Sequence, residues 1–266
     1  MSTKEKQISY TAWKRLHDNS LFTVSSITTL RQLGVGWVNA LIPFAQKLYG
    51  VDKNGVTELL KRQNGFFGAH PDFVPLAIGA VAKAEWEVAK EKADPSYAKN
   101  LREWCSAALQ VHGWQLFRDG FRPLILLLGL IIGLFVYHSS NAMRALAILA
   151  FLLCYNLPMW SFRLWSVRYG WRKGLDLPQA FMAWKWHKIL WSIRWLGAGM
   201  VGVAFVLTAR EWGRVVFYLG AHGAEELAWV TAAVGFLLGY ILLPRINLHS
   251  LLLLLIAVVL AMAWLL

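Results

Sequence analysis

Hydrophobic positions follow two different rules along this chain, and the change comes near Phe121. Before it, apolar residues recur at helical spacing among polar ones; after it, they run together. Leu33, Trp37, Leu41, Phe44 and Leu48 share one face at the 3.6-residue period, which predicts an amphipathic helix over 30–48. Residues 51–63, with Lys53, Lys61 and Arg62, predict a second, shorter helix. Residues 65–75 hold two glycines and two prolines and predict a break. A helix is expected again over 76–91, with a small-residue face of Ala77, Ala80 and Ala84, then a polar turn over 93–97 and a further helix over 101–116. No repeat of 20–50 residues is visible.

The second half reads as membrane. Five apolar runs, 123–137, 142–160, 195–208, 227–243 and 250–266, approach or reach the roughly 20 residues that a helix needs to cross a bilayer. The first and third are short and need flanking residues, or else are re-entrant or buried. Core helices of a large soluble protein are the competing reading, but the last run has no polar face to offer water. The fold class expected is therefore an all-α integral membrane protein, with amphipathic and re-entrant N-terminal helices followed by about five transmembrane helices. Its parts are a cytoplasmic tail over 1–19, an amphipathic and re-entrant region over 20–120, and a transmembrane region over 121–266. A small cytoplasmic helical domain is the plainer alternative for the N-terminal half.

Composition narrows the classes. The chain of 266 residues is 57% hydrophobic and only 16% charged, which excludes a disordered chain and argues against a soluble enzyme. Lys and Arg outnumber Asp and Glu by 27 to 15, giving a net charge of +12. The placement of that charge points to membrane topology rather than nucleic acid. Residues 161–194 carry Arg163, Arg168, Arg172, Lys173, Lys185, Lys188 and Arg194 against Asp176, whereas 138–141 has no Lys or Arg. The positive-inside rule makes the first segment a basic cytoplasmic loop and puts the N-terminus on the same side. The start is polar and basic, with no apolar core of a cleavable signal. Trp184, Trp191 and Trp195, with Lys188 between them, are expected on one helix arc as interface anchors. Cys105 and Cys154 suggest no disulfide framework.

Chemistry motifs are missing: no H-E-x-x-H, G-x-S-x-G, P-loop or dinucleotide fingerprint occurs, and no histidine pair has metal-ligand spacing. No cofactor and no metal are expected. Polar groups beside apolar runs are the remaining candidates for solute binding. They are His70 in the glycine-rich break, Glu85 on the helix behind it, His112, Asp119 at the entry to the first run, and Asn156 beside Pro158 inside the second. Four of them have a plainer role: His70 as a turn histidine, His112 as a helix-end contact, Asp119 as an interfacial charge, and Asn156 as part of a kink with a satisfied amide.

Four stretches in order carry a family resemblance. They are Ser20-Leu21-Phe22 with Leu33-Gly34, Pro43 and Leu48-Tyr49; Phe66-Phe67-Gly68-Ala69-His70-Pro71 with Pro75, Ile78-Gly79 and Ala84-Glu85; Arg122-Pro123; and Tyr155-Asn156-Leu157 with Arg163, Tyr169-Gly170 and Lys173-Gly174. Together they resemble the IID component of the mannose/fructose/sorbose family of phosphotransferase-system sugar permeases. The resemblance implies a membrane subunit that pairs with a IIC partner and carries a hexose by an elevator-like motion. Cytoplasmic IIA and IIB proteins then phosphorylate the sugar, and the IID chain itself is non-catalytic. A higher oligomer of the IIC–IID pair is also implied. Three departures stand out. The family's N-terminal Asn-x-Glu-Arg-Met-Gln becomes Ser26-Ile27-Thr28-Thr29-Leu30-Arg31. Its Asn-Thr before His-Pro becomes Gly68-Ala69, and its Gly-Asp signature falls on Gly113-Trp114. An indole can donate one hydrogen bond or stack, where a carboxylate would accept bonds from sugar hydroxyls. Trp114 therefore joins the candidates, with Asp119 as a substitute carboxylate. The alternatives are a transport-incompetent scaffold or regulatory subunit, and a membrane enzyme acting on lipid, for which no cluster of carboxylates or histidines speaks.

Overall fold

The computed structural model of the chain describes residues 10–218. The expected spans 227–243 and 250–266 lie outside the described residues. Those described are helical, with only two isolated backbone bridges and no strand. The helices are α1 (Tyr10–Leu21), α2 (Gly34–Tyr49), α3 (Lys53–Gln63), α4 (Val74–Val88), α5 (Pro95–Gly113), α6 (Arg122–Val136), α7 (Asn141–Lys173), α8 (Leu177–Met182) and α9 (Trp186–Tyr218). A π-helix, Trp114–Phe121, joins α5 to α6.

Local chemistry sets the boundaries. Asp52 and Asp94 cap α3 and α5 by accepting from the backbone N–H of Asn54 at 3.0 Å and of Ser96 at 2.8 Å. Pro95 opens α5 at a position where its missing N–H costs nothing, so Pro95–Tyr97 belong to the helix and not to the expected turn. α2 starts later than its periodicity suggests. Residues 28–33 are engaged elsewhere: Thr28 and Gln32 exchange backbone bonds at 3.0 and 2.8 Å, and the Leu33 N–H donates to the Phe67 carbonyl at 3.0 Å. That pairing ties the chain before α2 to the glycine-rich break.

The chain divides into two compact units. Within the first, residues 10–114 and 158–184, α4 is the centre; every residue from Val74 to Ala82 is buried. A helix that is apolar on all sides must be enclosed, and its neighbours enclose it closely. A Cβ added to Gly79 would lie 2.2 Å from the Val167 carbonyl oxygen on α7, and one added to Gly170 would lie 2.1 Å from that of Leu76 on α4. The two backbones cross with glycine facing carbonyl from both sides, the close approach that small residues allow between membrane helices. Trp37 stacks on Phe67 at 4.0 Å, and Phe73 meets Phe162 and Phe181 edge-on at 5.5 and 5.8 Å.

Within the second unit, residues 115–157 and 185–218, α6 packs on α9 through Leu127, Val201 and Ala204. Leu130, Ile131, Ala198 and Met200 border them. Among the described residues, three helical stretches have the length and composition to cross a membrane: Pro95–Val136, Asn141–Met182 and Trp186–Thr208. The short run at 123–137 lies in the first of these, a helical stretch that begins at Pro95. Only 6% of the most apolar window of the second stretch is buried, leaving Leu146, Ile148, Leu149, Leu152, Leu153 and Leu157 exposed. Such a surface suits hydrocarbon and not water.

Three expectations change. The basic segment 161–194 is not a loop: Arg163, Arg168, Arg172 and Lys173 continue α7, because nothing between Pro158 and Lys173 stops a helix already running. The stretch expected as a tail is helical from Tyr10 onward. Trp184 lies in the turn before α9, not on the arc of Trp191 and Trp195. The passages of the chain from one unit to the other each carry a backbone irregularity. The π-helix starts at Trp114, Pro158 sits inside α7, and Lys185 has a positive φ of 43°.

Candidate functional site

The glycine-rich break folds into a turn that holds His70 against α5. Pro71 begins a short 3-10 turn, Pro71–Phe73, with His70 in front of it. Ser106 on α5 fixes the approach: its hydroxyl accepts from the Gly68 N–H at 2.9 Å and donates to the Gly68 carbonyl at 3.2 Å. Gly113 lets α5 come close, since a Cβ there would fall 2.3 Å from the Cβ of His70. Around Gly68, the position of a missing Cβ would lie 2.5 Å from Gln32 Oε1, 3.0 Å from Gln110 Oε1 and 3.2 Å from the Phe66 ring. Gln32 reaches this point from a positive φ of 47°, a conformation costly for any residue but glycine.

His70 is 2% exposed and meets Trp114 edge-on, with ring centres 5.1 Å apart. Its Nδ1 lies 3.4 Å from the Asp72 N–H and 3.3 Å from Asp72 Oδ2. It accepts in the first contact when unprotonated at Nδ1 and donates in the second when protonated there. Arg163 reaches Asp72 from α7, its Nε donating to Oδ1 at 2.7 Å and its Nη2 contacting the same oxygen. Burial alone would raise the Asp72 carboxyl. The bond from His70 and the guanidinium of Arg163 outweigh it and hold the group below the usual carboxylate value.

A second buried polar cluster lies between α3 and α4. Glu85 is fully buried, and its Oε1 accepts from Arg62 Nε at 3.0 Å and from Gln63 Nε2 at 2.6 Å. Arg62 Nη2 donates to Oε2 at 2.5 Å. The bond to Glu85 is the main reason that the Arg62 guanidinium holds its proton above the ordinary value. Burial, with the Glu85 charge behind it, likewise raises the Tyr49 phenol. Arg102, 5% exposed, donates to the Gln63 carbonyl at 3.0 Å.

The sequence-derived candidates therefore separate. His70 and Trp114 touch. His112 belongs to the same unit but sets its ring against Phe181 at 5.4 Å, with Nδ1 2.9 Å from the Ala108 carbonyl oxygen. Glu85 directs both oxygens at Arg62 and Gln63. Asp119 and Asn156 belong to the second unit. Asp119 is exposed and pairs with Arg118 at 2.9 Å, while the Asn156 amide donates to the Leu152 carbonyl at 2.8 Å in its own helix. Of the expected anchors, Trp191 and Trp195 are exposed on α9 with ring centres 5.5 Å apart, and Lys188 is exposed near them. Trp184 instead donates its indole N–H to the Tyr169 hydroxyl at 3.1 Å. Asp72 and Arg163 were not among the candidates. The available signal was an acid directly after His-Pro and an arginine inside an apolar helix.

The description PTS system mannose/fructose/sorbose family IID component fits the chain over residues 7–210. The chain belongs to that family. It is a membrane component of the IID type, multi-pass and non-catalytic. No curated protein matches it. Among solved structures it is similar to a chain of the cryo-EM structure of the mannose transporter ManYZ in complex with microcin E492. That match has a TM-score of 0.55 and 20% identity, over 76% of this chain and 71% of that one. A second structure, described as a membrane protein, gives a TM-score of 0.64 at 19% identity, over 75% of this chain and 71% of the other. At these identities the likeness is one of fold.

Proposed function

We propose that this IID chain forms, with a IIC-type membrane partner, the translocation unit for a hexose that IIA and IIB proteins phosphorylate on arrival. The observation that carries the reading is the turn at 65–71. Its backbone is pinned by Ser106, its histidine is held between Asp72 and Trp114, and the amides of Gln32 and Gln110 converge beside it. An aromatic face, a histidine and two amides are the groups that bind sugars by stacking and by hydroxyl hydrogen bonds. His70 and Trp114 lead the set. His112, Asp119, Glu85 and Asn156 stand behind them, Glu85 only if its pair with Arg62 opens. The cavity between α1 and α2, lined by Arg15, Asn19, Lys47 and apolar neighbours, measures about 30 Å³, room for a water molecule but not a sugar. A hexose site completed by the partner fits these facts.

The π-helix, Pro158 and Lys185 are backbone irregularities of the kind at which a chain bends. The basic end of α7 favours a cytoplasmic position for that end, with the N-terminus on the same side and the complex in a bacterial inner membrane. A higher oligomer of the IIC–IID pair remains part of this reading. A transport-incompetent scaffold is the second reading, favoured by Trp114 standing where the resemblance places an aspartate. Co-purification with the IIC partner, followed by binding of a hexose panel, decides between them. A complex that binds a hexose, and loses it in Trp114→Ala, supports transport. A stable complex blind to every hexose leaves the scaffold.

A further inference from the structure

The C-terminal end of α4 gathers lysines around one indole. Trp86 is 8% exposed, and the Nζ atoms of Lys90, Lys83 and Lys92 lie 3.8, 4.2 and 5.9 Å from its ring centre. The backbone is wound to put them there. The Lys92 N–H bonds to the Glu87 carbonyl at 2.9 Å and the Glu91 N–H to that of Val88 at 2.9 Å, a Schellman closure. Its left-handed position, usually glycine, is Glu91 with φ 55°. The fold thus accepts backbone strain to bend Lys90 and Lys92 back over the ring.

The same patch takes in the end of α7. Lys83 Nζ lies 5.7 Å from the ring centre of Trp171, and a Cβ at Gly174 would touch the Lys83 stem at 2.8 Å. Lys173 stands 5.9 Å from the Tyr169 ring. Arg172 and Lys173 close α7, and the stretch Asn141–Met182 that holds them is long and apolar enough to cross a bilayer, so the patch is joined to a candidate span. Against Lys83, Lys90, Lys92, Arg172 and Lys173, the acids on α4 and its closing turn are Glu85, buried and bonded to Arg62 and Gln63, Glu87, which pairs with Lys83 at 3.4 Å, and Glu91. An ammonium carries three donors and a ring face engages one, so Lys90 and Lys92, both exposed, keep donors for an anion.

We propose that this patch is a binding site for the phosphate of an anionic phospholipid headgroup. Indoles and lysines at headgroup depth anchor a protein to the bilayer, and clustered lysines there prefer acidic lipids. The converging ammonium groups make the site selective, and the buried Trp86 ring holds them at fixed positions.

The test uses the purified full chain in neutral detergent, titrated with phosphatidylglycerol, phosphatidylcholine or inorganic phosphate while thermal unfolding and lipid retention in native mass spectrometry are read. Phosphatidylglycerol is expected to bind and to raise the unfolding temperature. The combined variant Lys83→Gln, Lys90→Gln, Lys92→Gln should bind it about 100-fold more weakly, roughly five-fold for each lysine. The single variant Lys90→Met, which keeps the stem on Trp86, should show the single-lysine loss if the triple variant does not fold. Lys53→Gln, exposed on α3 and outside the patch, should bind as the parent does. Equal binding of phosphatidylcholine, an equal shift with inorganic phosphate, or an equal loss in Lys53→Gln would each overturn the proposal. None of these readouts involves sugar, so the outcome is independent of the transport reading.

Discussion

Replacing Glu85 by Gln removes one charge and almost no volume, and the structure says what that does. Oε1 accepts from Arg62 Nε and Gln63 Nε2, and Oε2 accepts from Arg62 Nη2. A glutamine amide offers one oxygen and one NH₂ group. With its oxygen at the Oε1 position, the NH₂ faces Arg62 Nη2 across a contact that is now 2.5 Å. With the amide flipped, the NH₂ faces Arg62 Nε across 3.0 Å, even if Gln63 also turns to present its oxygen. Either way one donor of a guanidinium only 15% exposed meets another donor and loses its counter-charge. Breaking a buried pair from one side costs about 3 kcal/mol. Equilibrium unfolding of the purified chain in mild detergent should show that loss, and uptake should fall with the amount of folded protein. Adding Arg62→Met to Glu85→Gln removes the stranded donors and should return most of the stability, giving a favourable coupling of about 2 kcal/mol. A variant Glu85→Gln as stable as the parent within about 0.5 kcal/mol would refute the reasoning. If that stable variant also failed to take up sugar, Glu85 would belong to the solute path instead.

The Asp72 carboxyl is held below its unfolded value, so its contribution to stability is full above about pH 4 and is lost as pH falls through the lower native value. Unfolding followed from pH 6 to pH 2 should show an acid limb that Asp72→Asn flattens. The neutral amide leaves Arg163 poorly paired, so that variant should also be weaker at neutral pH; identical limbs would remove Asp72 from the account. Gly170→Ala should part α4 from α7, because the new methyl would overlap the Leu76 carbonyl oxygen, 2.1 Å from the Cβ position. The overpacking is expected to cost about 2 kcal/mol in the same detergent assay, whereas Gly133→Ala, with nothing within 4 Å, should cost nothing.

Much of the fold was legible because periodicity and run length are local properties. The heptad-like face from Leu33 to Leu48 locates α2, and the apolar runs locate α6, α7 and α9. The errors have two causes. A charge-rich stretch was taken for a loop, yet charge does not end a helix; residues 161–173 carry neither a glycine-capped stop nor a proline that resists extension. Leu30 looked like part of α2, but Thr28 and Gln32 close a local turn around it and Arg31 and Leu33 pair with Phe67 across distant segments.

The candidate site was legible only where its residues are close in sequence or share a helix. His70 stood out beside Pro71, and Trp114 stood out because a carboxylate was expected in its place. Asp72 and Arg163 are separated by 91 positions, and no spacing rule connects them. What joins them is the crossing of α4 and α7, made possible by Gly79 and Gly170. The small-residue face was read from Ala77, Ala80 and Ala84, and neither glycine was placed on it, yet the glycines bring α7 near enough for one of its arginines to reach the turn that carries His70. The polar site is thus downstream of an apolar packing decision. A substitution at either glycine should therefore disturb His70 through Arg163 and Asp72 before it disturbs membrane insertion, which depends on the runs of α6, α7 and α9 and not on that crossing.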